Sequence, residues 1–376
     1  MRSRFLPVLT ILLLFGIFLS GCGKSLDDTG AQSDGPAKGL QGQETAEPSR
    51  YLSITYGRNN PDMLLGREIV FYTYDLAAGE LQEVCTLPFN ARYASGVVSL
   101  ENQMVYYSRR MEEEDPASDD CLWAYDLASG ESTRLEHENF SYNDITIVDP
   151  DTLLVMAVKA GEEHVITPAL FDLTDGTFTY LPEVNGEPLT QYSTGASAIN
   201  YNGRTGQFCY IYRDQKEMYL PEYLGMRLPI DVHIGLVGAD LVKEPEKIYT
   251  AQWKSTKDID WLTQVTDDTI LMQVGTEVID PENPTMNHDE IAYYTIAFGA
   301  EDAVLEPAAP LFPDAARVNL INCQTLDGGK TYYLQMNRVD DTSGLFSYCT
   351  DTGELRPILL NDDAQEGHVV NFCAVG

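Results

Sequence analysis

Five histidines, seven cysteines and 58 acidic side chains are the groups in this 376-residue sequence from which chemistry could be built. His137, His164, His233, His288 and His368 show no HxxxH or HxH spacing, and no two cysteines stand close enough to make half of a zinc site. The expectation is therefore no resident metal and no cofactor. No Gly-x-Ser-x-Gly elbow is present to carry a nucleophilic serine, so no catalytic residue is assigned. Two carboxylates facing one another across a channel would suffice for glycoside hydrolysis, and acids are too numerous here for that chemistry to be dismissed. The densest run, residues 111–120, has six acids in ten positions. Carboxylates are natural calcium ligands, but the run lacks a ligand spacing and reads as a solvated loop.

One cysteine is set apart by its neighbours. Residues 1–22 read MRSRFLPVLTILLLFGIFLSGC, with two arginines, an apolar stretch from Phe5 to Leu19 and small residues leading into Cys22. The apolar stretch is short for a spanning helix and has the layout of a signal peptide. Leu19-Ser20-Gly21-Cys22 resembles the lipobox of bacterial lipoproteins. That resemblance implies cleavage after Gly21 and lipidation of Cys22, which would hold the protein on the outer side of a bacterial cell membrane through acyl chains. Residues 1–21 are thus read as signal peptide. Their loss removes Arg2 and Arg4 and no acid, so 24 − 2 = 22 basic and 58 acidic side chains remain, taking the formal charge from -34 to -36. A surface so acidic would repel a phosphate backbone, and nucleic acid is excluded as a partner.

Residues 22–50 form the second segment. They are rich in Gly, Ser, Gln, Asp and Pro with almost no large apolar side chain, and so cannot offset chain entropy by burial. A coil of that length spans roughly 30 Å and reads as a tether.

From Tyr51 to the end, short runs of Val, Ile, Tyr, Thr and Phe alternate with Gly, Asp, Asn and Pro, which is strand and turn chemistry. Three segments are nearly one phrase: YDLAAGE at 74–80, YDLASGE at 125–131 and FDLTDGT at 171–177. Weaker copies surround Gly238, Gly299 and Gly353, so that turn glycines recur at intervals of 51, 46, 62, 61 and 54 residues. With four short strands per interval this predicts an all-β, six-bladed β-propeller over residues 51–376. Blade one lacks an innermost strand, and the run 368–374 is expected to supply it and close the ring, leaving no open edge. The cysteines other than Cys22 fall mostly in strands at wide spacing and are expected to be buried free thiols, although export would permit disulfides.

The nonapeptide TLDGGKTYY at 325–333 resembles the Asp-Gly-Lys turn of TolB-like six-bladed propellers. The resemblance implies a fold, and function must be sought in a site. Long insertions fall between the second and third strands of blades, at 57–67, 109–120, 213–229 and 277–289, and so share one face of the ring. The chain enters at the start of a second strand, on the opposite face, which would aim the insertion face away from a membrane. The insertion 213–229 carries Met218, Tyr219, Tyr223, Leu224, Met226 and Arg227, an apolar set unusual for a surface loop and hence a candidate binding loop. The functional expectation is a membrane-anchored extracytoplasmic binding module for a protein or carbohydrate ligand; the alternative is a carbohydrate-active enzyme with carboxylates at the central channel.

Overall fold

Near-continuous apolar runs such as those of residues 51–56, 153–158 and 208–212 call for strands buried on both faces, and that is what forms. In a computed structural model of the chain, the residues described are 50–60, 66–112, 115, 117–136, 139–160, 165–181, 183–184, 187–188, 200–213, 220–223, 228–238, 247–254, 256–278, 288–299, 302–312, 315, 319–338, 342–362, 364 and 366–375. Six four-stranded antiparallel sheets follow one another round a ring. Blade one holds β1 (Tyr51–Asn59), β2 (Arg67–Asp75) and β3 (Leu81–Pro88). Blade two holds β4 (Gly96–Ser99), β5 (Met104–Arg110), β6 (Asp120–Asp126) and β7 (Ser132–Arg134). Blade three is β8 (Asn139–Asp149), β9 (Thr152–Lys159), β10 (Ile166–Asp172) and β11 (Phe178–Tyr180). A small hairpin, β12 (Glu183–Val184) with β13 (Glu187–Pro188), precedes blade four, which is β14 (Asn200–Asn202), β15 (Gln207–Arg213), β16 (Pro229–Gly238) and β17 (Lys247–Lys254). Blade five is β18 (Lys257–Thr266), β19 (Thr269–Val278), β20 (His288–Phe298) and β21 (Ala303–Ala308). Blade six is β22 (Asn319–Gln324), β23 (Thr331–Asn337), β24 (Ser343–Cys349) and β25 (Glu354–Leu360).

The carboxy-terminal strand β26 (His368–Val375) then pairs antiparallel with β1, Ile54 opposite Phe372, and completes blade one as expected. Closure is reinforced from blade six. Gln324 Nε2 donates to the Phe372 carbonyl (3.2 Å), Gln335 Nε2 to that of Val369 (2.8 Å), and Ala374 N–H donates to Gln324 Oε1 (2.9 Å).

Six clusters of buried apolar side chains among the described residues fill the six seams between neighbouring blades. Ile69 and Phe71 of β2 pack on Val98, Val105 and Tyr107 of blade two, whereas Val70 on the other face of β2 packs towards Tyr333 and Leu345 of blade six. Trp261 of blade five meets Leu334, Met336 and Phe346 of blade six. The period of two thus feeds one strand into two seams, and the inner strands are covered on both faces while the outermost strand of each blade meets solvent.

The repeated phrases close the turns after each third strand through a shared device. Asp75, Asp126 and Asp172 each accept two backbone N–H bonds at Oδ1, from the residues two and three positions on, at 2.7–3.2 Å. Gly79, Gly130 and Gly176 follow at φ near +70°, where a side chain would strain the backbone. Gly353 has the same conformation, with Cys349 in place of the aspartate. The two weaker copies differ. Gly238 ends β16 and Gly299 sits in a turn whose N–H donates to the Asp302 carbonyl (3.1 Å), and neither has positive φ.

Candidate functional site

Second strands end, and third strands begin, on the insertion face, so side chains at those ends meet the links between blades. At the seam of blades two and three, β5 ends in Arg109-Arg110 opposite Cys121 and Asp120 of β6. The link from β3 to β4 lays its backbone against that end: Arg92 N–H donates to Asp120 Oδ2 (2.9 Å), with Ser108 Oγ at 3.5 Å. Arg92 Nη2 donates to the Ala117 and Ser118 carbonyls (3.1 and 3.2 Å), and its guanidinium stacks 3.9 Å over the Phe140 ring. Arg109 lies over Trp123 on the other side of the sheet.

Asp120 is fully buried at 0% exposure. That corrects the reading of residues 111–120 as wholly solvated: the last acid of the run is drawn inside because it begins β6. Burial pushes its carboxyl up to about 6, against the opposing pull of the Arg92 N–H bond and the Arg92 and Arg110 charges.

The network continues into blade three. Glu136 Oε1 accepts from the Leu122 N–H (2.8 Å) and from the Tyr142 hydroxyl. Asn139 Nδ2 donates to Tyr142 Oη (2.9 Å), Tyr180 Oη donates to Asn139 Oδ1 (3.1 Å), and Lys159 Nζ stands 4.1 Å over the Tyr180 ring. Burial and the Glu136 charge hold the Tyr142 phenol well above its ordinary range.

A second charged group lies at the seam of blades four and five on the same face. Arg213, at the end of β15 and 6% exposed, pairs with Asp258 at 2.5 Å. Asp260 is the extra residue of a β-bulge in β18, where Ile259 pairs with Val274 and Trp261 with Gln273. Gln273 Nε2 donates to Asp260 Oδ2 (2.8 Å), while Gln273 Oε1 accepts from Trp261 Nε1 (3.1 Å) and Tyr293 Oη (3.0 Å). Burial raises the Asp260 carboxyl, and the Asp258 and Asp289 charges add to that rise.

Along the ring axis the innermost strands are tied by amides. Asn322 Nδ2 donates to Asn371 Oδ1 (3.1 Å), and Asn371 Nδ2 donates to Asp144 Oδ1 (2.7 Å), spanning blades six, one and three. Asn200 Nδ2 donates to the Leu262 carbonyl (2.5 Å). Burial pushes the Asp144 carboxyl up to about 6.

The opposite face is simpler. Asp327 Oδ1 accepts from Lys330 and Thr331 N–H (3.0 and 2.8 Å), ordering the turn 325–330 with Gly328 and Gly329 at positive φ. Beside it, where the chain enters at Arg50, lies a pocket of about 190 Å³ lined by Leu76, Leu326, Asp327, Thr331 and Tyr333. This is small for a ligand site.

Of the candidate loop, Met218, Tyr219, Leu224, Met226 and Arg227 lie outside the described residues, as do residues 1–49 with Cys22. Tyr223 ends a short 3-10 turn, Pro221–Tyr223, and Leu220 before it is exposed. Among the described residues no helix is long and apolar enough to cross a membrane, and no three His, Cys, Asp or Glu side chains group as a metal site. Cys85, Cys121, Cys209, Cys323, Cys349 and Cys373 are free thiols. Sequence reasoning missed Arg92, Arg110, Asp260 and the axial asparagines, and took Asp120 only as part of a solvated acidic run. The one available signal was Arg109-Arg110, a basic pair at a strand end in a chain with 24 basic side chains.

No protein-family model matches the sequence, and no curated protein matches it. Among solved structures the chain is similar to hydrazine synthase of Kuenenia stuttgartiensis, at 10% identity and a TM-score of 0.45, covering 84% of this chain and 81% of that one. It is also similar to TolB of Acinetobacter baumannii, at 10% identity and a TM-score of 0.41 over 82% and 69% of the two chains. A protein from Lactobacillus plantarum shares 11% identity, with a TM-score of 0.38 over 87% and 99%. Likeness at these identities says nothing of ligand or activity.

Proposed function

We propose that the protein is a membrane-tethered, extracytoplasmic binding module of a bacterial envelope, anchored through lipidated Cys22 and meeting its ligand with the insertion face. The observation that carries this reading is the one-sided placement of buried charge. The buried Asp120 with the partly buried Arg110 and the link residue Arg92 at one seam, and the buried Arg213 with the partly buried Asp260 and the exposed Asp258 at another, stand on the insertion face, whereas the opposite face is closed largely by short turns. Ionisable groups drawn out of water cost stability, and such clusters gather at functional sites. The chain enters β1 from the opposite face, which suits a tether leading back to a membrane.

Photo-crosslinking residues placed singly at Ser118 and Leu220 on the insertion face, and at Ala128 and Thr174 on the turn face, test this in whole cells. Adducts confined to the insertion face are expected. Adducts from the turn face alone, or equally from both, would overturn the orientation. Deleting residues 215–228 should abolish capture and leave folding intact if the candidate loop takes part.

A carbohydrate-active enzyme is the second reading, favoured by one observation. Asp260, a carboxyl raised by burial and lying in the field of Asp258 and Asp289, has the character of a glycosidase acid beside a second carboxylate. Cleavage within a panel of glycans, lost in Asp260→Asn, would establish it; no cleavage by the wild type would remove it.

A further inference from the structure

The seam that joins the last blade to the first opens on the turn face into the pocket of about 190 Å³ beside Arg50. Arg50 and Leu76 flank the strands of blade one, with the Leu76 N–H donating to the Arg50 carbonyl (3.2 Å), and Leu326, Asp327, Thr331 and Tyr333 come from blade six. The volume is below that of a drug-sized site. A cavity of roughly 150 Å³ already takes a benzene-sized group, however, so this one has room for a molecule of about eight non-hydrogen atoms.

Its polar wall is left incomplete. Tyr333 lines the pocket at only 8% exposure, yet its hydroxyl makes no hydrogen bond among the described residues. Burial raises its phenol and the Asp327 charge adds to that rise, so the hydroxyl stays protonated and offers a donor. Asp327 spends Oδ1 on the Thr325 hydroxyl (3.1 Å) and on the Lys330 and Thr331 N–H groups, which leaves Oδ2 uncommitted. Arg50 is exposed, and its guanidinium pairs with none of the described acids, Asp327 included. Leu76 and Leu326 supply an apolar wall continuous with the seam cluster.

The set specifies the chemistry of what would fill it. A guanidinium beside a hydroxyl donor suits a carboxylate, and an uncommitted carboxylate oxygen suits an ammonium group. The two leucines suit a short aliphatic chain. One small molecule carries all three.

We infer that this pocket binds a free α-amino acid with a short aliphatic side chain, its carboxylate meeting Arg50 and Tyr333, its ammonium group meeting Asp327 and its side chain lying on Leu76 and Leu326. The pocket is on the face opposite the long insertions, so this binding site is separate from the proposed contact surface and does not depend on it.

Calorimetric titration of the full-length protein in mild detergent tests it, with L-valine, N-acetyl-L-valine and L-valinamide as probes. L-Valine is expected to bind at about 1 mM or tighter. N-acetyl-L-valine, which lacks the ammonium group, and L-valinamide, which lacks the carboxylate, should each bind at least about tenfold more weakly. Arg50→Gln should weaken L-valine by a similar factor. Asp327→Asn should do the same, since an asparagine oxygen keeps the turn bonds of Oδ1 and places an amide where the uncommitted oxygen stands; Tyr333→Phe, which removes only the hydroxyl, gives an independent reading if that variant does not fold. No binding of L-valine, equal binding of either blocked probe, or an affinity untouched by Arg50→Gln or by whichever of the other two variants is read would each overturn the proposal. Crosslinks confined to the insertion face would stand in all of these cases, so failure of this site and failure of the proposed contact surface are read separately.

Discussion

Replacing Asp144 by Asn probes the axial girdle without cutting it. Asp144 Oδ1 accepts from both Asn371 Nδ2 (2.7 Å) and Ile145 N–H (2.8 Å), and an asparagine oxygen in the same place can keep both bonds. The substitution removes only the ionisation of a carboxyl that burial raises from 3.8 to about 6. The folded protein therefore keeps a proton there that the unfolded chain has released, and wild-type stability falls as pH rises between those two values. Below the lower value both states hold a neutral acid and nothing is lost; above the upper one the loss is complete, at about 3 kcal/mol. Asp144→Asn should then match wild type at about pH 4 or lower and gain steadily to about 2–3 kcal/mol at about pH 7. Asp120 and Asp260 are raised in both proteins, so the difference between the two curves isolates Asp144. Urea unfolding followed by tryptophan fluorescence at about one-unit steps of pH measures it. A variant less stable than wild type at neutral pH, or a gain that does not change with pH, would refute the buried, ionised girdle.

Three further outcomes follow from particular contacts. Phe372, 2% exposed on the closing strand, should cost about 3–5 kcal/mol when replaced by Ala, and a loss under about 1 kcal/mol in urea unfolding would deny β26 its place in blade one. Thr352 hydrogen bonds hold the half-buried Cys349 thiol below its ordinary range, whereas burial raises those of Cys209 and Cys323. Iodoacetamide at neutral pH should label Cys349 first and the other two only in denaturant; peptide mass mapping that finds the reverse order would contradict this packing. Cys22→Ala should move the protein from the membrane fraction to the soluble one and remove the acyl mass, and a variant still sedimenting with membranes would count against the lipid anchor.

Blade number, strand order and ring closure could be read from the sequence because each rests on local chemistry. An aspartate that caps its own turn and a glycine at positive φ are visible in seven residues, and YDLAAGE, YDLASGE and FDLTDGT declare three turns outright. Gly238 and Gly299 show where that signal thins: both mark the spacing of blades without the backbone conformation that suggested them. The β-bulges that place Asp260 in β18 and Asn143 in β8 leave no such mark, since an extra residue in a strand preserves composition while shifting every later side chain to the other face.

The site residues were hidden for a different reason, which lies in the geometry of the ring. Arg92 and Asp120 stand 28 positions apart, and Asn371 and Asp144 stand 227 apart. No pattern within one strand joins them, because the contacts that unite them are made between blades and across the ring axis. Acidity compounds this, for an Asp in a chain with 58 acids attracts no notice until it is found without water. The reverse holds for arginine. In a chain so acidic, exposed acids on the solvated surface need no explanation, whereas Arg92 in the β3–β4 link and Arg110 and Arg213 at strand ends, drawn partly or wholly out of water, do. All three lie at the mouths of seams on the insertion face. That distribution gathers the partly desolvated arginines of an acidic protein on the side that carries its long loops, and each is set against a carboxylate: Arg92 and Arg110 beside Asp120, Arg213 with Asp258.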